Sequence, residues 1–374
     1  MQNDITHDLT YRAVSSDDFD AMIAAERYGQ RSDAFDSLIS GSHDHFWDPL
    51  DSRYLDYSEP FDLENKLVLP YEMFPEFGTA VVENLAEKDR IRLANENARW
   101  MISGLLHGEQ GALSLCANLC NILVDPGAQE YASNQAREEA RHVNAFARYI
   151  QARWGSPYPV AESLGSLLSE LVHAPEVYKK LIGMQILVEG LAMSVFSAIH
   201  VLTNDPLLKR LTQLVMTDEA FHHKFGKTWA DRTIPKLKAE ESEVVEDWAA
   251  HCFEKLLLNL VNVREKRAIY EQFGLNWEEV REACEYRYGE QARRKQLERQ
   301  SNVFRFLAKA LFNSGIVTGR TRPIYAKWLD VDQLEGEVDL LDVLGDVVSQ
   351  QGIEYLRDVN RSRRSMVKLK PQEE

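Results

Sequence analysis

Three residues recur at one fixed interval. Glu109, Glu139 and His142 return 80 positions later as Glu189, Glu219 and His222, and in each set a lone glutamate stands 30 residues ahead of a Glu-x-x-His pair. On a helix, positions three apart share a face about one turn apart, so the carboxylate and imidazole of each pair can reach a common point. The turn signals Asp125-Pro126-Gly127 and Thr203-Asn204-Asp205-Pro206 fall near the middle of the two 30-residue intervals. At about 1.5 Å of rise per residue, the glutamates flanking each turn end at nearly the same height. The spacing predicts two similar helical hairpins that carry all six residues in one layer of a bundle.

The rest of the chain fits that reading. Residues 1–88 mix aromatic, Pro and Asp signals, as in His45-Phe46-Trp47-Asp48-Pro49, and read as a loop-rich cap with short helices. Helical periodicity runs over 90–123 and 128–154, a short helix is expected at 161–172, and long runs follow at 176–202 and 207–231. Further helical stretches at 239–272 and 276–312 lead into a tail rich in Asp and Leu. Period-two runs of β-branched residues are almost lacking, so the fold class is all-α. The expected division is a cap at 1–88, a four-helix bundle at 89–232 and a helical extension of the same domain at 233–374.

Leu181 to Leu202 is nearly all apolar and long enough to span a bilayer. It also carries Gln185, Glu189 and His200, and an ionisable residue at mid-span is costly in lipid, so a helix buried within a bundle is the expected reading. There the Glu189 carboxylate would not stay ionised without compensation, and no Lys or Arg lies between Lys180 and Lys209 to supply it from the same helix. Four glutamates and two histidines are oxygen and nitrogen donors suited to iron or manganese rather than structural zinc. Two divalent ions would balance the four carboxylates. A third Glu-x-x-His, Glu170 with His173, has Arg90 at the 80-residue offset and abuts Ala174-Pro175, so it is set aside.

One Glu from each of two helices plus Glu-x-x-His from each of the other two resembles the ligand set of the ferritin-like di-iron carboxylate superfamily, over about residues 90–231. The motifs Glu138-Glu139-Ala140-Arg141-His142 and Asp218-Glu219-Ala220-Phe221-His222 resemble its oxygenase branch, whose usual form is Asp-Glu-x-Arg-His. The resemblance implies a ferritin-like four-helix bundle with added N-terminal and C-terminal helices, two iron ions or a Mn/Fe pair, and O2 as co-substrate. It makes Glu138 and Asp218 acceptors, each for the histidine of the opposite hairpin. Phe221 departs from the pattern, since Arg is common there. Gln185, one turn before Glu189, is a candidate amide behind the ligands. His223 points about 100° away from its neighbour and is expected at a surface or partner contact. Trp47 is similar in context to the Trp of the radical subunits' Trp-Asp-His relay, with core packing as the default.

Subfamily markers are missing at several positions. Most radical subunits have Tyr where this chain has Phe146, and a minority with a Mn/Fe pair also have Phe. Multicomponent monooxygenases and acyl-carrier-protein desaturases have Thr at the positions of Met193 and Ala192, respectively. Arylamine N-oxygenases have a further His at the position of Val215, which argues against a close N-oxygenase relative but not against N-oxygenation as a reaction. Phe146, Ala192, Met193 and Val215 are the expected lining of an apolar pocket beside the metals, plain core being the alternative. Tyr149, Cys116 and Cys120 read as packing residues, and Arg293-Arg294-Lys295 as a solvated face.

The expected function is O2 activation to hydroxylate, desaturate or otherwise oxidise a small apolar or aromatic substrate. Alternatives are an iron-handling ferroxidase, an N-oxygenase and, last, a metal-free helical scaffold. No flavin, nicotinamide or iron–sulfur motif is present, so electrons are expected from a reductase or ferredoxin. The net charge of −16 disfavours nucleic acid and anionic membrane surfaces. The start of the chain has no basic and apolar leader pattern, and four cysteines make no disulfide framework, so the expected setting is the cytoplasm, with a homodimer as an option.

Overall fold

Two hairpins of long helices dominate the computed structural model, which describes residues 5–43, 45–261, 263–288, 303–334 and 340–364. The first joins α1 (Glu87–Ile122) to α2 (Pro126–Trp154), and after a short α3 (Glu162–His173) the second joins α4 (Val177–Leu202) to α5 (Pro206–Thr233). Both turns use the same device. Asp125 accepts from the Ala128 amide at 2.8 Å and Asp205 from the Leu207 amide at 3.0 Å, each followed by Pro at the first helical position, where its missing N–H costs nothing. Asp205 also accepts from the Tyr149 hydroxyl at 2.9 Å and from Arg153 at 2.6 Å, which ties the end of α2 to the start of α5 and gives Tyr149 a structural task. Gly155 ends α2 at φ +83°, a conformation that other residues rarely adopt.

Helix dominates the described residues and no strand occurs among them, so the all-α expectation holds. α1 packs on α2, α4 on α5 and α2 on α5. Each of these four helices passes from one hydrophobic core to another. Ala112, Ala132, Val188 and Phe225 belong to a core shared with α3, α6 (Ala239–Val261) and α8 (Val303–Asn313). Leu106, Ala145, Phe196 and Val215 belong to a second core, built with Trp47 and Leu69 of the cap. The six repeated residues stand where each helix changes cores.

Further features shape the surroundings of the bundle. The Asp- and Leu-rich tail contains a helix, α9 (Leu340–Arg364), which lies against α5 and α4 and sends Leu356 into the second core. It comes close because position 352 is glycine; a Cβ there would collide with Thr217 Oγ1. Within α4, Leu181–Val188 is wound as a π-helix. α4 has the length and hydropathy to cross a membrane, and 72% of its apolar window is buried within the protein, against α5, α6 and α8. α7 (Trp277–Tyr288) packs on the cap turns Pro75–Gly78 and Ala80–Val82, which brings residues on both sides of the bundle to one place. Arg293-Arg294-Lys295 lie outside the described residues.

Candidate metal centre

The six residues converge in one layer, each 5% exposed or less. Glu109, Glu139, His142 and Glu219 form one cluster, and Glu139, Glu189, Glu219 and His222 another, with donor atoms of each cluster within 4.8 Å of one another. Glu139 and Glu219 belong to both. Glu139 places Oε1 3.0 Å from His222 Nδ1 and Oε2 3.3 Å from His142 Nδ1. Glu219 places Oε1 3.0 Å from His142 Nδ1 and Oε2 3.1 Å from His222 Nδ1. Each carboxylate thus spans the two imidazoles, while Glu109 serves the His142 side alone, at 3.1 Å, and Glu189 the His222 side.

The far edges of the imidazoles are fixed by crossed pairings. His142 Nε2 donates to Asp218 at 3.0 Å and His222 Nε2 to Glu138 at 2.8 Å. With Nε2 committed as the donor to the far carboxylate, Nδ1 is the ring nitrogen left facing the cluster, the atom that would meet a metal. Asp218 Oδ2 also accepts from the Trp47 indole at 2.8 Å and from Arg141 at 3.0 Å. Trp47, Asp218 and His142 are therefore linked in series, and the Trp47 ring lies nearly parallel to that of His142. Phe221, in the place where an arginine was anticipated, stacks on His45 with centroids 4.6 Å apart. His45, Glu138 and Asp218 form a third buried cluster of potential donors.

Burial pushes the carboxyls of Glu109 and Glu189 well above their usual range. Burial acts the same way on Glu139 and Glu219, but the His222 and His142 imidazoles together outweigh it and hold both below theirs. Burial opposes charge on His142 and His222, yet the surrounding carboxylates, Glu109 with Asp218 and Glu139 for the former and Glu219 with Glu139 and Glu138 for the latter, together raise both well above the ordinary imidazole range. Glu139 Oε2 and Glu219 Oε1 are buried and have no hydrogen-bond partner. Carboxylate oxygens that face only the His142 ring without forming a hydrogen bond, in a dry interior, fit positive charge placed between them, and two divalent ions match four carboxylates and two imidazoles.

Other anticipated residues are placed differently. The Gln185 amide reaches Cys116 Sγ at 3.8 Å and no ligand candidate, because the i→i+5 winding of Leu181–Val188 changes its angular phase relative to Glu189. Gln135 takes that position instead, donating to Glu139 at 3.0 Å and Glu189 at 3.4 Å; its signal was its place one turn before Glu139. His223 is buried rather than at a surface, with Nδ1 3.3 Å from the Gln185 carbonyl, since α4 covers that face of α5. Glu170 lies at α6, where it meets His251 at 3.1 Å and Lys255.

A cavity of about 520 Å³ ends on Glu109 and Glu189. Of the four expected lining residues only Ala192 borders it. Phe146 stacks on Phe196, Val215 is sealed in the second core, and Met193, one position past Ala192, turns toward Ala220. The wall is instead one face of α1, including Gly104, Gly108 and Ala112, opposed by Val188, Leu191 and Val195 of α4. Met73 and Phe74 of the cap and Arg281 and Glu285 of α7 frame its outer part.

A family model described as p-aminobenzoate N-oxygenase AurF matches residues 29–310. The expectation drawn from Val215, against a close N-oxygenase relative, is thereby corrected. No curated protein sequence matches the chain. Among solved structures, a point mutant of an R2-like ligand-binding oxidase with an aerobically reconstituted Mn/Fe cofactor aligns with a TM-score of 0.42 at 15% identity, over 70% of this chain and 93% of that one. Another R2-like ligand-binding oxidase, with an aerobically reconstituted metal cofactor after photoconversion, aligns with a TM-score of 0.44 at 15% identity, over 70% and 92%.

Proposed function

Starting from the AurF family of p-aminobenzoate N-oxygenases, to which the chain belongs, we propose that Glu109, Glu139, His142, Glu189, Glu219 and His222 hold two iron ions for the monooxygenation of an aromatic or apolar amine. Membership makes the chain an O2-dependent di-iron oxygenase or oxidase with a small-molecule substrate and an external electron donor. The observation that carries the finer reading is the cavity whose inner wall includes two of the six donors, Glu109 and Glu189. A substrate in it meets the metals directly.

The iron pair, when bound, supplies the O2 chemistry. The protein's own residues do the rest. Glu139 and Glu219, which face both imidazoles, would be shared by the two ions, Glu109 and Glu189 would each serve one, and Asp218 and Glu138 hold the two imidazoles with Nδ1 toward the carboxylates. The two hydrophobic cores keep bulk water from the layer, and the apolar walls orient the substrate. In the balanced reaction one oxygen atom of O2 enters the N–H bond to give a hydroxylamine. The other leaves as water with two electrons and two protons from the donor. The acidic net charge and the buried α4 support a freely diffusing cytoplasmic enzyme.

The test is anaerobic Fe(II) loading and desalting, metal analysis, then exposure to O2 with a chemical reductant and p-toluidine. About two irons per chain and a product heavier by one oxygen on nitrogen are expected. Iron oxidation without amine turnover would favour the ferroxidase reading, and no retained iron the metal-free scaffold.

A further inference from the structure

The cavity is long. Its α1 wall runs through Asn97, Trp100, Met101, Gly104, Gly108 and Glu109, a single helical stripe. From Asn97 to Glu109 the helix rises about 18 Å. One para-substituted ring placed against Glu109 and Glu189 fills only the inner part of such a channel.

What opens the channel is missing side chains. A Cβ added at Gly104 or at Gly108 meets nothing within 4 Å. Neither glycine has a positive φ, and neither backbone is approached by a neighbouring helix, in contrast to Gly352 against Thr217. Both stand inside α1, where glycine weakens a helix by about 1 kcal/mol relative to alanine. The fold therefore bears a cost at both positions, and the space they leave is what it obtains.

The far end is polar but closed on itself. Lys266 Nζ donates to Glu76 at 3.1 Å and to Asn97 Oδ1 at 2.8 Å, and Arg281 donates to both Glu285 oxygens at 3.0 Å. Both cations of the mouth already have partners, and Glu72 adds a further carboxylate at the rim. An apolar tail suits this channel better than a carboxylate-ended one.

We infer that the substrate is elongated, with its reacting group at Glu109 and Glu189 and an apolar tail running along α1 toward Lys266, and that Gly104 and Gly108 set the length admitted. The inference rests on the cavity being the substrate site of the proposed function. Gly108 lies beside the metal-facing end, and Gly104 about 6 Å farther out along the helix axis. A side chain at Gly104 would cut off the tail, whereas one at Gly108 would exclude the head as well.

The experiment is calorimetric titration of the iron-loaded protein, kept anaerobic, with aniline, 4-butylaniline, 4-hexylaniline and 4-octylaniline. Each methylene buried in the channel should tighten binding about three- to fourfold, and butyl to octyl on the order of a hundredfold. Gly104→Leu should abolish the gain from the longer tails and leave aniline unchanged; Gly108→Leu should weaken every member. Both variants should melt no lower than the parent chain and retain their iron, because leucine favours helix over glycine and enters open space. Affinity that does not depend on tail length, or an octyl affinity unmoved by Gly104→Leu, would overturn the inference. Binding is read without turnover, so a Gly104-dependent length preference upholds the channel even where no hydroxylamine forms. A hydroxylamine formed without any length preference would uphold the reaction and defeat the channel.

Discussion

The two hairpins carry the same candidate ligands at the same spacing, yet their histidines sit in unequal surroundings. His142 donates to Asp218, an acceptor that also takes hydrogen bonds from Trp47 and Arg141 on the same oxygen. His222 donates to Glu138, which has Arg141 only at 3.6 Å and Asn134 only at 3.5 Å. The difference begins in the motif, because one hairpin has Arg141 and the other Phe221 at the position before the histidine. A carboxylate shared among three donors has less charge to lend to any one of them, so Glu138 is the stronger acceptor for its imidazole. Repetition of the same residues therefore does not make their surroundings equivalent.

The largest effect comes from removing what both halves share. Glu139→Gln should take retained iron from about two per chain to one or none, by metal analysis after anaerobic loading; two retained irons would remove Glu139 from the bridging role. Next come the separate acceptors. Asp218→Asn and Glu138→Gln should each lower metal affinity by about 10- to 100-fold, with Asp218→Asn the more damaging because it also leaves Arg141 and Trp47 without their carboxylate. Equal losses in a competition titration with a chelator would mean that the asymmetry has no energetic weight.

A smaller effect separates metal-free from loaded protein. Glu109, Glu189, His142 and His222 all have raised pKa values without metal, so the stability they contribute is complete below their unfolded values and is lost as pH rises through the folded ones. Glu139 and Glu219, which are lowered, act in the opposite sense, and only as pH falls below the ordinary glutamate value. The metal-free chain should therefore melt several degrees lower at pH 8 than at pH 5.5, and the loaded chain should not show this decline. Calorimetry in the two states decides it. The smallest effect is that of Trp47→Phe, which removes one donor from Asp218 and should cost roughly 1–3 kcal/mol while two irons are retained. Iron loss on that substitution would give the indole a larger part in the asymmetry than one hydrogen bond allows.

The convergence of the six residues was legible because helix geometry converts spacing into position. An 80-residue repeat, two turn signals and an apolar stripe leave little freedom in where the side chains meet. Gln185 was misjudged for a local reason: its phase relative to Glu189 depends on π-winding, which periodicity does not report. The cavity was misjudged for a more general one. Phe146, Met193 and Val215 were chosen as residues near a ligand, whereas the channel follows from Gly104 and Gly108, and a missing side chain shows its effect only when the opposite wall is known. α9 escaped notice because its contact with the bundle depends on Gly352 meeting Thr217, a pairing 135 residues apart.

The change of cores along each of the four bundle helices bears on how the molecule comes apart. Four helices run without interruption through two hydrophobic bodies, and between them stands a waist where carboxylates face one another. With metal in place that waist is a rivet, and the two bodies should unfold together. Without it, buried polar groups that lack their metal concentrate at the one level between the two bodies, and cooperativity between them weakens. Amide exchange in the metal-free chain should begin at the middle turns of the helices rather than at their ends.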